Sequence, residues 1–263
     1  MTPGTILALV AASVGGGLMN AMAGGGTILT FPTLLFLGLP SVSANATSTV
    51  GLLPGAAASM FGYRREVNEH RDWLRTLFLP SLLGGAVGSI LLLRTPDKIF
   101  ANLAPLLILF ATALFMVQGF VARRAAAAKG EGDAEGDRFL TPGRWAVAAL
   151  CQFGVAIYGG YFGAGIGILM LAVLGFLGLS NIHAMNGLKN FFGFCINGVA
   201  AAYFIARGAV VWPAALVLVA GSIAGGYGGA RFARRIGQQK ARVAVVIIGL
   251  FIAALLFWKQ LRS

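Results

Sequence analysis

Apolar runs divide the chain into two sets of five. The first set covers residues 4–22, 27–39, 44–62, 74–93 and 99–122. The second covers 145–160, 164–179, 183–205, 209–230 and 243–258. Between them lies a polar stretch that contains Lys129-Gly-Glu-Gly-Asp-Ala-Glu-Gly-Asp137. Runs of this length and apolarity predict membrane-spanning helices, which satisfy their own backbone groups inside lipid. Long strands of alternating polar and apolar residues, the mark of a membrane barrel, are not visible. The expected organisation is a first transmembrane repeat at 1–122, a linker at 123–144 and a second repeat at 145–263.

Sliding the chain against itself by 140 positions tests for duplication. Gly38-Leu39 falls on Gly178-Leu179, Ala44 on Ala184 and Tyr63 on Tyr203, while Gly85 and Gly88 fall on Gly225 and Gly228. Segment boundaries coincide as well, which raises the match above the chance level of a glycine-rich chain. Loop charge then gives the relative orientation. The loop after the third segment holds Arg64, Arg65, Arg71 and Arg75, and its counterpart only Arg207. In the next loop the bias reverses: Arg94 and Lys98 stand against Arg231, Arg234, Arg235, Lys240 and Arg242. Under the positive-inside rule equivalent loops therefore lie on opposite sides, with the linker cytoplasmic and both termini periplasmic. The fold class expected is all-α: a polytopic helical membrane protein with two inverted-topology repeats and Gly-broken re-entrant or half-helices. Such inverted repeats recur in secondary transporters, because the two halves can exchange conformations and give alternating access.

Composition agrees with lipid as the main solvent. Hydrophobic residues are 58% of the chain and charged residues 11%, against about 25% charged in a soluble domain. Mean hydropathy is +0.83. The net charge of +12 does not point to nucleic acid, since the basic residues sit in short groups between apolar runs. Cys151 and Cys195 lie in apolar segments and form neither a disulfide framework nor a metal-ligand spacing. The run from Ile6 lacks a basic region before it and reads as a first helix, not a cleaved leader.

Candidate chemistry is concentrated at matching places in the two halves. Gly24, Gly25 and Gly26 precede the short segment 27–39, and Gly163 and Gly165 precede 164–179. Paired short, glycine-interrupted segments are the best sequence pointer to a transporter binding site, although glycine also serves close helix packing. The following segment of each half opens on a polar string. The first contains Asn45, Thr47, Ser48 and Thr49; the second contains Asn186, Lys189 and Asn190. Helix N-termini and neutral donors of this kind suit an anion, whereas capping and interhelical hydrogen bonds account for one or two of these residues. Lys189 stands alone within an apolar run, where a charge is costly and is read as functional by default, with snorkelling to the interface the other reading. All eight acids fall in loops, so the core is electropositive and no carboxylate relays protons. No His/Asp/Glu/Cys constellation for catalysis is present, no metal cluster or cofactor motif is implied, and the expectation is a non-enzyme.

These residues resemble the TauE/SafE family of sulfite exporters and organosulfur-anion permeases. The resemblance rests on Gly24-Gly25-Gly26 leading to Phe31-Pro32 and on the Asn45 to Thr49 string, and in the second half on Gly163 to Gly167 followed by Asn186 to Asn190. It covers the whole chain apart from the linker. It implies movement of a small anion, sulfite or an organosulfonate or other organic anion, across the bacterial inner membrane. The second string lacks the Thr-Ser pair and has Leu188-Lys189 in its place. The mechanism expected is export by rocking of one half against the other, with an anion channel or a non-transporting membrane subunit as the alternatives. Small anionic substrate and lipid are the expected partners; a coupling ion, Na⁺ or H⁺, and the oligomeric state are left open.

Overall fold

The computed structural model describes residues 2–22, 24–62, 67, 70–127, 142–177, 179, 181–236 and 238–261. Ten helices occupy these residues. The first five are α1 (Pro3–Met22), α2 (Thr27–Phe36), α3 (Ser41–Gly62), α4 (Arg71–Arg94) and α5 (Asp97–Ala127). The second five are α6 (Pro142–Tyr161), α7 (Ile166–Phe176), α8 (Ile182–Ala206), α9 (Trp212–Ile236) and α10 (Gln238–Leu261). Proline opens α1 and α6, where its fixed φ suits a helix and its missing N–H costs nothing. The linker residues 128–141, Tyr63, Arg64 and Arg65, and the side chains of Arg231, Arg234, Arg235, Lys240 and Arg242 lie outside the described residues.

Among the described residues, four helices contain a stretch long and apolar enough to cross a membrane: Pro3–Asn20, Arg71–Arg94, Asp97–Val117 and Ala184–Ala206. Shorter apolar helices cover Thr27–Phe36, Ile166–Phe176, Trp212–Tyr227 and Val246–Trp258. Large apolar side chains such as Leu7, Leu150, Phe176 and Phe251 face outward, as they do on a surface solvated by hydrocarbon.

The principal packing partnerships run between the halves, not within them. The two most extensive are α1 with α9 and α4 with α6; α3 packs on α9 and α8 on α4. The chain thus forms two mixed bundles, one of α1, α2, α3 and α9, the other of α6, α7, α8 and α4. Between the bundles α3 meets α8, and α5 pairs with α10 beside them. Exchanging the first five helices with the second five swaps α1/α9 with α4/α6 and α3/α9 with α4/α8, and maps α3/α8 and α5/α10 each onto itself.

Glycine makes the tight contacts within each bundle. A Cβ on Gly17 or Gly225 would overlap backbone atoms of Ser222 or Val14, and one on Gly88 or Gly160 would overlap Ile157 or Gly85. Backbones this close gain van der Waals contact that larger residues forbid. Beside the cavity between α3 and α8, Gly193 has open space where a Cβ would sit.

Candidate functional site

α2 and α7 have 10 and 11 residues, so each extends about 15–17 Å, half of a hydrocarbon core of about 30 Å. Each begins after a turn that needs a left-handed backbone. Gly24 has φ +76°, Gly163 +81° and Gly165 +77°, values that cost an L-residue about 1–2 kcal/mol. The two turns meet: a Cβ on Gly24 would lie 3.1 Å from the Gly167 Cα. Aromatic rings hold the second turn in place. Phe162 packs edge-on against Phe31 and Phe100, and the Tyr158 hydroxyl donates to the Ala164 carbonyl at 2.6 Å.

Where the two turns meet α3 and α8, a cavity of about 40 Å³ is open to the centres of water-sized molecules. At liquid density that is room for about one or two waters. Both halves contribute to the wall. Of the residues singled out by sequence, Gly24, Thr49, Gly163, Lys189 and Asn190 line it. Lys189 is only 3% exposed, and it makes no ion pair or hydrogen bond with any described residue. Among the described residues, no acidic side chain lines the cavity. Asn190 is buried, and its Nδ2 has no hydrogen-bond partner. A buried ammonium without a counter-charge among the described residues makes the cavity electropositive, and beside it the occluded Asn190 Nδ2 is a donor left without a partner.

The other candidates are placed elsewhere. Asn45 Nδ2 donates to the Tyr161 carbonyl at 3.0 Å, joining α3 to α6. Thr47 Oγ1 accepts the Val211 N–H at 3.0 Å and caps the entry to α9. Ser48 and Thr30 share a hydroxyl hydrogen bond of 2.6 Å. Gly25 lies against the Phe115 ring and Gly26 against the Gly16 carbonyl. Gly165 serves as the N-cap of α7. Asn186 is half-buried and does not line the cavity.

Four polar cavity residues, Asn20, Thr27, Ser59 and Asn197, were not singled out by the sequence. The signal for Asn197 is helical spacing: Lys189, Gly193 and Asn197 recur every four residues along one face of α8. Among the described residues, no group of three or more metal-ligating side chains occurs.

Replacing Asn190 tests its role. Because Nδ2 is buried without a partner, Asn190→Leu is expected to leave thermal stability within about 1 kcal/mol while weakening anion binding at least about tenfold. Thermal unfolding and equilibrium dialysis against sulfite measure the two effects; a large loss of stability with intact binding would assign Asn190 to the scaffold.

Comparison with known proteins follows this geometry. The profile of the family described as Sulfite exporter TauE/SafE matches residues 9–256. A probable membrane transporter protein from Haemophilus influenzae is 29% identical, over 92% of this chain and 90% of its own length. The probable membrane transporter protein ORF9 from Sinorhizobium is 25% identical, over 90% of this chain and 86% of its own. The probable membrane transporter protein YfcA from Escherichia coli K12 is 24% identical, over 92% and 86%. No solved structure matches the chain.

Proposed function

The chain belongs to the sulfite exporter TauE/SafE family of membrane transporters, and from that premise we propose that it exports a small anion by alternating access. The observation that carries this reading is Lys189: a buried ammonium with no partner among the described residues, at a cavity built from both halves. An anion supplies the missing charge. The two short helices direct the positive ends of their dipoles at the same place, which adds to the attraction. Sulfite or an organosulfonate is the substrate class that the family suggests.

The two sequence repeats are read as inverted copies in the inner membrane, with the linker cytoplasmic and the termini periplasmic. The exchange symmetry of the helix pairs supports two copies of one unit. The backbone-to-backbone contacts at Gly17, Gly88, Gly160 and Gly225 hold each mixed bundle rigid, so the rocking parts are these bundles and not the sequence halves. The α3/α8 seam, with the cavity beside it, is where they shift.

An inside-negative potential favours the exit of each negative charge by about 2.3 kcal/mol per 100 mV. Export therefore needs no proton relay, in accord with the absence of acids from the described cavity wall.

Counterflow in proteoliposomes separates a carrier from a channel. With unlabelled sulfite on the opposite side, a carrier accelerates uptake of labelled sulfite and saturates; linear flux without acceleration would mean a channel. Orientation is tested by Asp133→Cys, which should react with an impermeant maleimide only from the cytoplasmic side. Labelling from outside would reverse the topology.

A further inference from the structure

The cavity wall divides by bundle. Asn20 on α1 and Thr27 on α2 come from one mixed bundle, and Lys189 and Asn197 on α8 come from the other. The two backbone breaks contribute unequally. The one before α7 presents Gly163, Ile166 and Gly167, with no side-chain donor among them, whereas the one before α2 is flanked by Asn20 and Thr27.

Asn20 is fixed by the break beside it. Its backbone carbonyl accepts the Gly24 N–H at 3.2 Å, and its Oδ1 accepts the Gly26 N–H at 3.1 Å. A backbone N–H donates only to the amide oxygen, so the orientation of the side chain is settled and Nδ2 is the end left over. Among the described residues Nδ2 makes no hydrogen bond. The Thr27 hydroxyl also makes none, although Thr27 is only 8% exposed. Its neighbours show why this is unusual. Further along α2, Thr30 Oγ1 donates to the Gly26 carbonyl at 3.2 Å and Thr33 Oγ1 to the Leu29 carbonyl at 2.8 Å. Thr27 opens the helix and has no preceding helical turn to receive its proton. A buried hydroxyl without a partner carries a desolvation cost that a ligand in the cavity relieves. On the facing bundle Asn197 keeps one N–H after donating to the Gly193 carbonyl at 2.9 Å.

We propose that a small oxyanion is held as a bridge between the two mixed bundles, its charge against Lys189 and its other oxygens accepting from Asn20 Nδ2 and the Thr27 hydroxyl. This rests on the anion-carrier reading above and assigns the groups that orient its substrate. Loading the site then ties α8 to the α1/α2 break across the surface at which the bundles shift.

Asn20→Asp separates a ligand contact from a structural one. The carboxylate keeps an acceptor for the Gly26 N–H, and it replaces the donor with a negative charge that takes the place of the substrate opposite Lys189. Equilibrium dialysis with the purified full-length protein should show sulfite bound at least about a hundredfold more weakly, since like charges then meet. Without sulfite the variant should unfold at a higher temperature than the wild type, and that gain should vanish when Asn20→Asp is combined with Lys189→Met. Thr27→Val should bind sulfite at least about tenfold more weakly at unchanged thermal stability, and Thr27→Ser should restore the affinity. If Asn20→Asp does not fold, the Thr27 pair decides alone. Wild-type affinity in Thr27→Val, or in a folded Asn20→Asp, would overturn the bridge while leaving the Lys189 site in place. Sulfite binding that survives Lys189→Met, or its absence from the wild type, would overturn that site as well.

Discussion

Lys189→Met raises the thermal stability of the anion-free protein and removes the stabilisation that sulfite gives the wild type. The reasoning starts from burial. Lys189 is 3% exposed and has no carboxylate near it on the cavity wall among the described residues. A charge left without its partner in the interior is destabilising by about 3–5 kcal/mol, and an apolar side chain of similar volume relieves that cost. Methionine keeps the length and packs flexibly, so the helix is not disturbed. The empty variant should therefore be more stable than the empty wild type by roughly 1–4 kcal/mol. Linkage gives the second half: a ligand at a hundred times its Kd stabilises by about 2.7 kcal/mol, and the variant should lose this shift. Thermal unfolding across a sulfite titration measures both effects. A variant less stable than the wild type, with an unchanged sulfite shift, would make Lys189 a structural residue.

Gly88→Val and Gly225→Val each prevent assembly of one mixed bundle. A Cβ at Gly88 would overlap the Ile157 carbonyl, and one at Gly225 the Val14 carbonyl. These neighbours are backbone atoms on another helix, so neither rotamer change nor side-chain flexibility relieves the clash. The helices must separate, and the loss extends along the α4/α6 or α1/α9 contact. Destabilisation above about 4–5 kcal/mol is expected, in the range that abolishes folding. Gly198→Ala, where nothing lies within 4 Å, is the control and should fold normally. Monodisperse yield after detergent extraction reads the result. Folded, monodisperse Gly88→Val would show that the bundle interior is not packed backbone to backbone.

How much of this was legible in the sequence depends on how local the information is. Helix existence and order were legible because membrane helices are long apolar runs, and all ten lie where the hydropathy pattern puts them. The brevity of α2 and α7 was legible from Gly24 to Gly26 and from Gly163 to Gly165, whose positive φ values only glycine adopts freely. Pairing of α1 with α9 and α4 with α6 was not, because partner choice depends on surfaces brought together from distant parts of the chain. The polar strings were read as continuous stretches, yet a helix turns about 100° per residue. Consecutive residues therefore face different neighbours: Asn45 meets α6, Thr47 the start of α9, Ser48 meets α2, and Thr49 alone of these reaches the cavity. The helical period that separates them is the one that brings Asn197 onto the face of Lys189.

The measurement closest to the central claim is labelled-sulfite flux in proteoliposomes under an imposed potential, with wild type and Lys189→Ala side by side. The account predicts saturable flux that increases when the potential drives the anion out of the sulfite-loaded side, and its collapse in the variant. Saturable flux of equal size in both proteins would contradict it, because the anion would then cross without the buried Lys189 cation on the cavity wall.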